Sequence, residues 1–261
     1  MQVRDDLYMY SGTEHSRIPQ GQLGVGYRTT TDILGATFVT PWQMLGGNYA
    51  FSIRGAYSDI GASETVAAPG PRPPVVRSGG LDAFNDMVIT PVILGWHAGN
   101  WHWNVSASVW VPVGSYESSR LANTGKNYWS VSPQAGVTYL DQSSGWEVSA
   151  AAAYLTSSQN PATNYQSGDA AHIDFAVGKL LTPQFKLGAV GYWEQQLDAD
   201  SGTGAIFGDR KIRVLGVGPG ASFSFFVDRV PVTLVAKYYH EFDAQNTTQG
   251  DTGTLSVRAK F

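Results

Sequence analysis

The stretch WHWNVSASVWVP (101–112) reads in twos. Trp101, Trp103, Val105, Ala107, Val109 and Val111 fall on one side of the alternation, and His102, Asn104, Ser106 and Ser108 on the other. Successive side chains of a strand point to opposite faces, so this segment is a strand with one oily and one wetter face. The pattern recurs outward in both directions. Tyr49, Phe51, Ile53, Gly55 and Tyr57 alternate with Ala50, Ser52, Arg54, Ala56 and Ser58, and the segments 146–155, 185–196, 232–242 and 252–261 read the same way.

Twelve such segments are expected: 2–10, 22–40, 48–60, 85–96, 101–112, 128–140, 146–155, 170–180, 185–194, 210–226, 232–242 and 252–261. Short breaks at 41–47, 97–100, 141–145, 181–184 and 228–231 alternate with longer polar breaks at 11–20, 61–83, 113–127, 156–169, 195–209 and 243–251. Short turns at one end and long loops at the other are the signature of a bacterial transmembrane barrel. The expectation is a single all-β domain over 1–261, an antiparallel β-barrel of about twelve strands with short periplasmic turns and longer extracellular loops, integral to the bacterial outer membrane. The loop 61–83, with APGPRPP (68–74), is expected to cover the outer mouth.

Composition excludes the competing classes. Charged residues are 15% of the 261, against roughly 25% in a soluble domain, and aromatics are 12%, so the chain is too oily to be disordered. It has no cysteine for disulfides or thiolate metal sites. The net charge of −4 offers no footprint for nucleic acid. Residues 87–116 contain no Asp, Glu, Lys or Arg, but Pro91, Gly95, Asn100, Asn104 and Pro112 interrupt them as a membrane helix. The opening MQVRDD lacks the basic and apolar regions of a signal peptide. A soluble sandwich or lipocalin-like barrel would also alternate. Three features favour the membrane: nearly uncharged oily faces, aromatics near strand ends (Trp96, Trp101, Trp103, Trp129, Tyr139, Trp146, Trp193), and a terminal Phe261 on the face of Ala259, Val257 and Leu255.

Charge on the lipid face is costly near the midplane, so the polar face of each strand is assigned to the lumen. That places Arg4, Tyr8, Tyr10, Arg28, Asp32, Phe38, Arg54, His102, Trp110, Glu147, Tyr192, Lys237, Tyr239 and Arg258 along the substrate path, with Asp6, His172, Asp174, Lys186, Glu194 and Glu241 among their neighbours. Arg4, Arg28, Arg54 and Arg258 read either as part of a neutralised ladder with Asp6 and Asp32 or as a stripe that attracts anions. The segments 33–38, 87–96, 149–155 and 214–226 are apolar on both faces, which suggests a partly greasy lumen. Pro91, Pro133 and Pro219 cannot donate a ladder hydrogen bond and mark bulges or gaps.

Catalytic patterns are thin. HEFD (240–243) sets His240 near Asp243, but no serine sits in a nucleophile elbow, and the five histidines have no zinc-ligand spacing. Neither enzyme activity nor a metal nor a cofactor is expected.

One region carries a family resemblance. In SVWVPVGSYESSRLANTGKNYWSVSPQAGVTYL (108–140), Pro112, Gly114 and Tyr116 form a P-x-G-x-Y element. Asn123, Gly125, Asn127 and Trp129 form N-x-G-x-N-x-W, followed by a strand with Pro133 and Tyr139. This resembles the outer-membrane channels associated with meta-pathway phenol degradation. The resemblance implies passive uptake of hydrophobic, often aromatic, molecules by a barrel in contact with outer-membrane lipid and lipopolysaccharide. It implies no catalytic residues. A monomer is expected; a small polar-solute or anion-selective porin and a closed structural barrel are the alternatives.

Overall fold

The computed structural model describes residues 1–18, 21–69, 73–206, 208 and 210–261, the side chains of Arg17, Ile18 and Gly21 excepted. Among them are thirteen strands: β1 (Gln2–Ile18), β2 (Gly21–Met44), β3 (Gly47–Ala67), β4 (Val75–Phe84), β5 (Met87–Ala98), β6 (Trp101–Val111), β7 (Ser130–Asp141), β8 (Trp146–Ser157), β9 (Ala170–Leu180), β10 (Phe185–Gln196), β11 (Arg213–Val227), β12 (Val230–Gln245) and β13 (Gln249–Lys260). All pairings are antiparallel. The sheet runs β3-β2-β1-β13 and on down to β5, which returns to β3, so twelve strands close into a barrel. At the seam the Phe261 amide donates to the Met1 carbonyl at 2.8 Å.

β4 is the addition to the expected plan. Among the described residues of 61–83, most are strand rather than the expected covering loop: β3 continues to Ala67 and pairs back on β4, from Tyr57↔Phe84 to Val66↔Val75. Thr65, Val66, Val75 and Val76 are β-branched and favour strand on both sides of the proline-rich turn. Of the APGPRPP segment, residues 70–72 lie outside the described residues. The break expected at 11–20 is also mostly strand, with β1 and β2 paired as far as Ile18↔Gly21; its residues 19–20 lie outside the description.

Below β4, β3 pairs instead with β5, through Asn48↔Gly95 to Arg54↔Val88. β4 and β5 therefore lie end to end along one edge of β3, separated by Asn85 and Asp86. This break organises the region of the two glycine motifs. The Asp86 carboxylate accepts the Gly114 amide at 2.9 Å and the Lys126 amide at 2.8 Å. The Phe84 carbonyl accepts the Ser115 amide at 3.2 Å and the Thr124 hydroxyl at 2.8 Å. Gly114 and Gly125 are pressed together: a Cβ on Gly125 would come within 2.6 Å of the Gly114 carbonyl carbon. No other residue fits that contact.

The segment 112–129 is tied to its neighbours in turn. Asn127, held at φ 59°, donates to the Asn160 side chain at 3.0 Å, and Asn160 donates to the Lys126 carbonyl at 3.0 Å. The Asp200 carboxylate then links 158–169 to 197–206 by accepting the Gly168 amide at 3.0 Å and the Tyr165 hydroxyl at 2.8 Å. Three long loops thus interlock over β6–β11.

The faces sort by solvent. Leu7, Leu34, Ile53, Val105, Val137, Val148, Val177, Leu187, Leu234 and Val257 are exposed on the outer wall. At its turn end the wall carries an aromatic belt: Trp42 stacks on Tyr49, Trp96 on Trp103, and Trp101 meets Tyr139 edge-on. Such belts sit at the membrane–water boundary. The inner face of β2, β3 and β5–β8 carries hydroxyls paired across strands: Thr31–Ser58 at 2.7 Å, Thr90–Ser108 at 2.9 Å, Ser130–Ser157 at 2.8 Å and Thr138–Ser149 at 2.9 Å. On the inner face of segments 87–96 and 149–155, Thr90 and Ser149 of these pairs are interspersed with Val88, Ile93, Ala151, Ala153 and Leu155. Of the three prolines, Pro91 marks a register shift between β5 and β6, whereas Pro133 and Pro219 sit at local gaps in the pairing with β8 and β12 that leave the register unshifted.

Replacing Asp86 by Ala should leave the Gly114 and Lys126 amides half-buried and unpaired, lowering unfolding stability by about 1–3 kcal/mol; urea titration with gel mobility as readout measures it. In the β7–β8 turn, hydrogen bonds from the Ser143 hydroxyl, the Ser144 hydroxyl and the Ser143 amide hold the Asp141 carboxyl down at about 2, below its ordinary 3.8. A depressed folded value stabilises above the unfolded one and is lost as pH falls through the folded one. The melting difference between the wild type and Asp141→Asn should therefore be full above pH 3.8 and close on approach to about pH 2.

Candidate functional site

A barrel of twelve strands is wide enough to keep interior space. Here the interior holds a cavity of about 620 Å³ on the inner faces of β1–β3 and β9–β13. Alternation places Arg4, Asp6, Tyr8 and Tyr10 of β1 on this face, together with Tyr27 and Thr29 of β2 and Arg54 of β3. From the other side come His172 and Asp174 of β9, Tyr192 and Glu194 of β10, and Lys237, Tyr239 and Glu241 of β12.

The lining is layered along the axis. The layer nearer the turn end is cationic. Arg4 and Arg258 are direct cross-strand partners, and Gly35 lies between Arg4 and Arg54 in register. Because Gly35 has no side chain, Arg54 folds over it; a Cβ there would come within 2.8 Å of the Arg54 Cγ. Arg4 Nε is bonded to Asp6 at 2.6 Å, and Lys186 Nζ holds both oxygens of Glu147 at 2.8 Å. Among the described residues Arg54, Arg258 and Lys237 form no ion pair, and Arg258 Nε is buried without a hydrogen-bond partner.

The layer toward the loops is tyrosine and carboxylate. His172 sits 3.2 Å from Asp174 and 3.8 Å from Glu194. The Tyr192 ring stacks on His172, with centroids 5.9 Å apart, and meets Tyr239 edge-on at 5.2 Å. Tyr10 and Tyr27 lie 6.2 Å apart. The cavity is thus walled in part by tyrosine rings, of which Tyr10 and Tyr192 end in hydrogen bonds to Glu241.

A profile of the family described as "Putative MetA-pathway of phenol degradation" matches residues 13–257, nearly the whole chain. The chain belongs to this family. Among solved structures, the COG4313 outer membrane channel from Pseudomonas putida F1 superposes with a TM-score of 0.74 at 13% identity, covering 100% of this chain and 95% of that one. The transport unit of the autotransporter AIDA-I from Escherichia coli superposes with a TM-score of 0.52 at 11% identity, covering 100% and 90%. At such identities the likeness is one of fold. A search of curated protein sequences finds no match. This member of the phenol-degradation family is an integral β-barrel of the bacterial outer membrane.

The phenol-degradation family barrel distributes the expected path residues unevenly. Arg4, Tyr8, Tyr10, Arg54, Tyr192, Lys237 and Tyr239 line the main cavity. Glu147 and Arg258 line a smaller one of about 220 Å³ together with Lys237. Trp110 faces inward opposite Val88 and Ser130, away from both cavities. His102 also points inward, stacked 6.3 Å from His97 beside the 98–101 turn.

Arg28, Asp32 and Phe38 must be moved to the outer wall. The register Asp32↔Leu7, Arg28↔Ser11 and Phe38↔Phe51 puts the even-numbered residues of β2 on the face of Leu7, Met9 and Phe51. Arg28 and Asp32 are the charged residues of β2, so charge alone turns its even-numbered face inward, and Phe38 follows by alternation; the pairing register turns that face outward. Tyr27 was passed over for the same reason; it shares the odd-numbered face of Thr29 and Thr31. His240 lies on the outer wall too, 2.9 Å from Asp251, while Asp243 pairs with Arg213. His240 and Asp243 therefore do not form a pair.

Asp6→Asn removes the carboxylate that Arg4 holds and leaves the cationic layer less compensated. In a potassium chloride gradient the reversal potential of the variant should shift toward greater anion selectivity.

Proposed function

We propose that this barrel is a passive channel for small aromatic molecules crossing the outer membrane. The observation that carries the reading is the main cavity, with five tyrosines set around it. Its volume of about 620 Å³ falls within the roughly 300–1,000 Å³ of small-molecule sites. Aromatic faces attract a ring through offset or edge-to-face contact worth about 0.5–1.5 kcal/mol each. That is weak enough for release, as conduction requires. Membership of the phenol-degradation family supports the same class of solute, and the shared fold with the Pseudomonas putida outer membrane channel supports a channel. The hydroxyl-rich wall of β5–β8 favours a ring bearing a polar group over a bare hydrocarbon. Lipopolysaccharide makes the outer leaflet a poor solvent for such molecules, so a lined path lowers the barrier without energy input.

A second reading rests on a separate observation. Arg54, Arg258 and Lys237 stand unpaired on the inner wall, and such a cationic layer favours small anions.

Proteoliposomes containing lipopolysaccharide separate the two. The expected result is faster uptake of phenol than of a sugar of similar size, relative to protein-free liposomes. Equal acceleration of both would replace the aromatic path with a general aqueous pore. A conductance that falls on Arg54→Gln, without aromatic preference, would shift the assignment to anions. No acceleration of either would mean a closed barrel.

A further inference from the structure

Resting on the channel reading above, we propose that Glu241 is the positioning residue of the lumen. It holds two tyrosine rings flat along the wall, so that their faces rather than their edges line the path.

Glu241 is 5% exposed, and both carboxylate oxygens are occupied. Oε1 accepts from the Tyr192 hydroxyl. Oε2 accepts from the Tyr10 hydroxyl at 3.0 Å and from the Gly250 amide at 2.8 Å. Tyr10 comes from β1 and Tyr192 from β10, two strands away from β12 on either side. One carboxylate on the intervening strand thus gathers both rings. The Tyr10 hydroxyl also lies 2.7 Å from Thr248.

Side chains normally stand roughly perpendicular to a sheet. A ring lies along the wall only if its neighbour leaves the space bare and something anchors its far end. Both conditions are met twice. A Cβ on Gly216 would come within 2.6 Å of Tyr192 Cε1, and one on Gly12 within 2.7 Å of Tyr10 Cζ. Each ring therefore covers a glycine on the adjoining stretch of wall, and its hydroxyl ends at Glu241. Standing upright, the same rings would project into the cavity, narrowing it and turning their edges to the solute. Glu241 touches no solute in this account; it acts through Tyr10 and Tyr192.

The test uses reconstituted full-length barrel and two probes that cross lipid slowly, phenyl β-D-glucoside and methyl β-D-glucoside. The wild type should favour the phenyl probe. Glu241→Gln should cut that preference roughly three- to tenfold, the worth of one or two ring contacts, and lower single-channel conductance with added flicker. Gly216→Val, with Glu241 intact, should lift Tyr192 off the wall and give the same loss. In a Tyr10→Phe/Tyr192→Phe background, Glu241→Gln should change nothing further, whereas a residue that merely braces β12 would still show its effect. Glu241→Gln protein with wild-type gel mobility, phenyl preference and conductance would overturn the positioning role alone. Wild-type protein passing neither probe would overturn the channel reading beneath it.

Discussion

A strand surrounded by hydrocarbon can hydrogen-bond its backbone only to another strand, and each unpaired amide or carbonyl there costs several kcal/mol. Closure through β1–β13 and β2–β3 is how this chain meets that demand, and the rest of its architecture follows from it. Closure fixes the two faces of every strand. The outward face becomes the apolar belt with its tryptophans at the turn end, and the inward face is freed to carry arginines, carboxylates and tyrosines. It also explains where irregularity is tolerated. The β4–β5 break is closed by Asp86, whose carboxylate takes two amides from the segment 112–129. The glycines of the two family motifs are part of that closure and take no part in the chemistry of the lumen.

Much of this was legible in the sequence because a period of two leaves few alternatives when one face must be oily. The twelve barrel strands, their antiparallel order and the placement of Arg4, Tyr192, Lys237 and Tyr239 follow from alternation. The reading failed where charge was used to choose the face. In β2 the charges of Arg28 and Asp32 point to the lumen by the rule that keeps charge off lipid, but the register with β1 and β3 puts them and Phe38 outside. Strand β4 was hidden for a different reason. Its glycines and the neighbouring prolines read as loop, while its stability comes from pairing with β3, a partner no local window reveals. The flat Tyr192 was invisible too, because it depends on a glycine of the adjoining strand: Gly216 pairs with it only in the fold.

The inner wall is built on contrasts of size as much as of charge. Gly35 lets Arg54 lie down toward Arg4, and Gly216 lets Tyr192 lie down toward Glu241. Arg54 and Tyr192 thus lie along the circumference of the wall. On the β5–β8 side serine and threonine satisfy one another across strands and project little. The lumen is therefore asymmetric: cations and tyrosine rings on one side, and on the other paired hydroxyls interrupted by Trp110 and His102.

The strands themselves are unequal. β2 and β3 run for 24 and 21 residues, whereas β5 and β6 on the neighbouring arc have 12 and 11. The rim is consequently oblique, like the lip of a scoop. A molecule arriving from outside does not have to find a small hole head-on. For the proposed channel, it meets the concave side of the tall wall first, so that the search for the lumen becomes two-dimensional before it becomes axial.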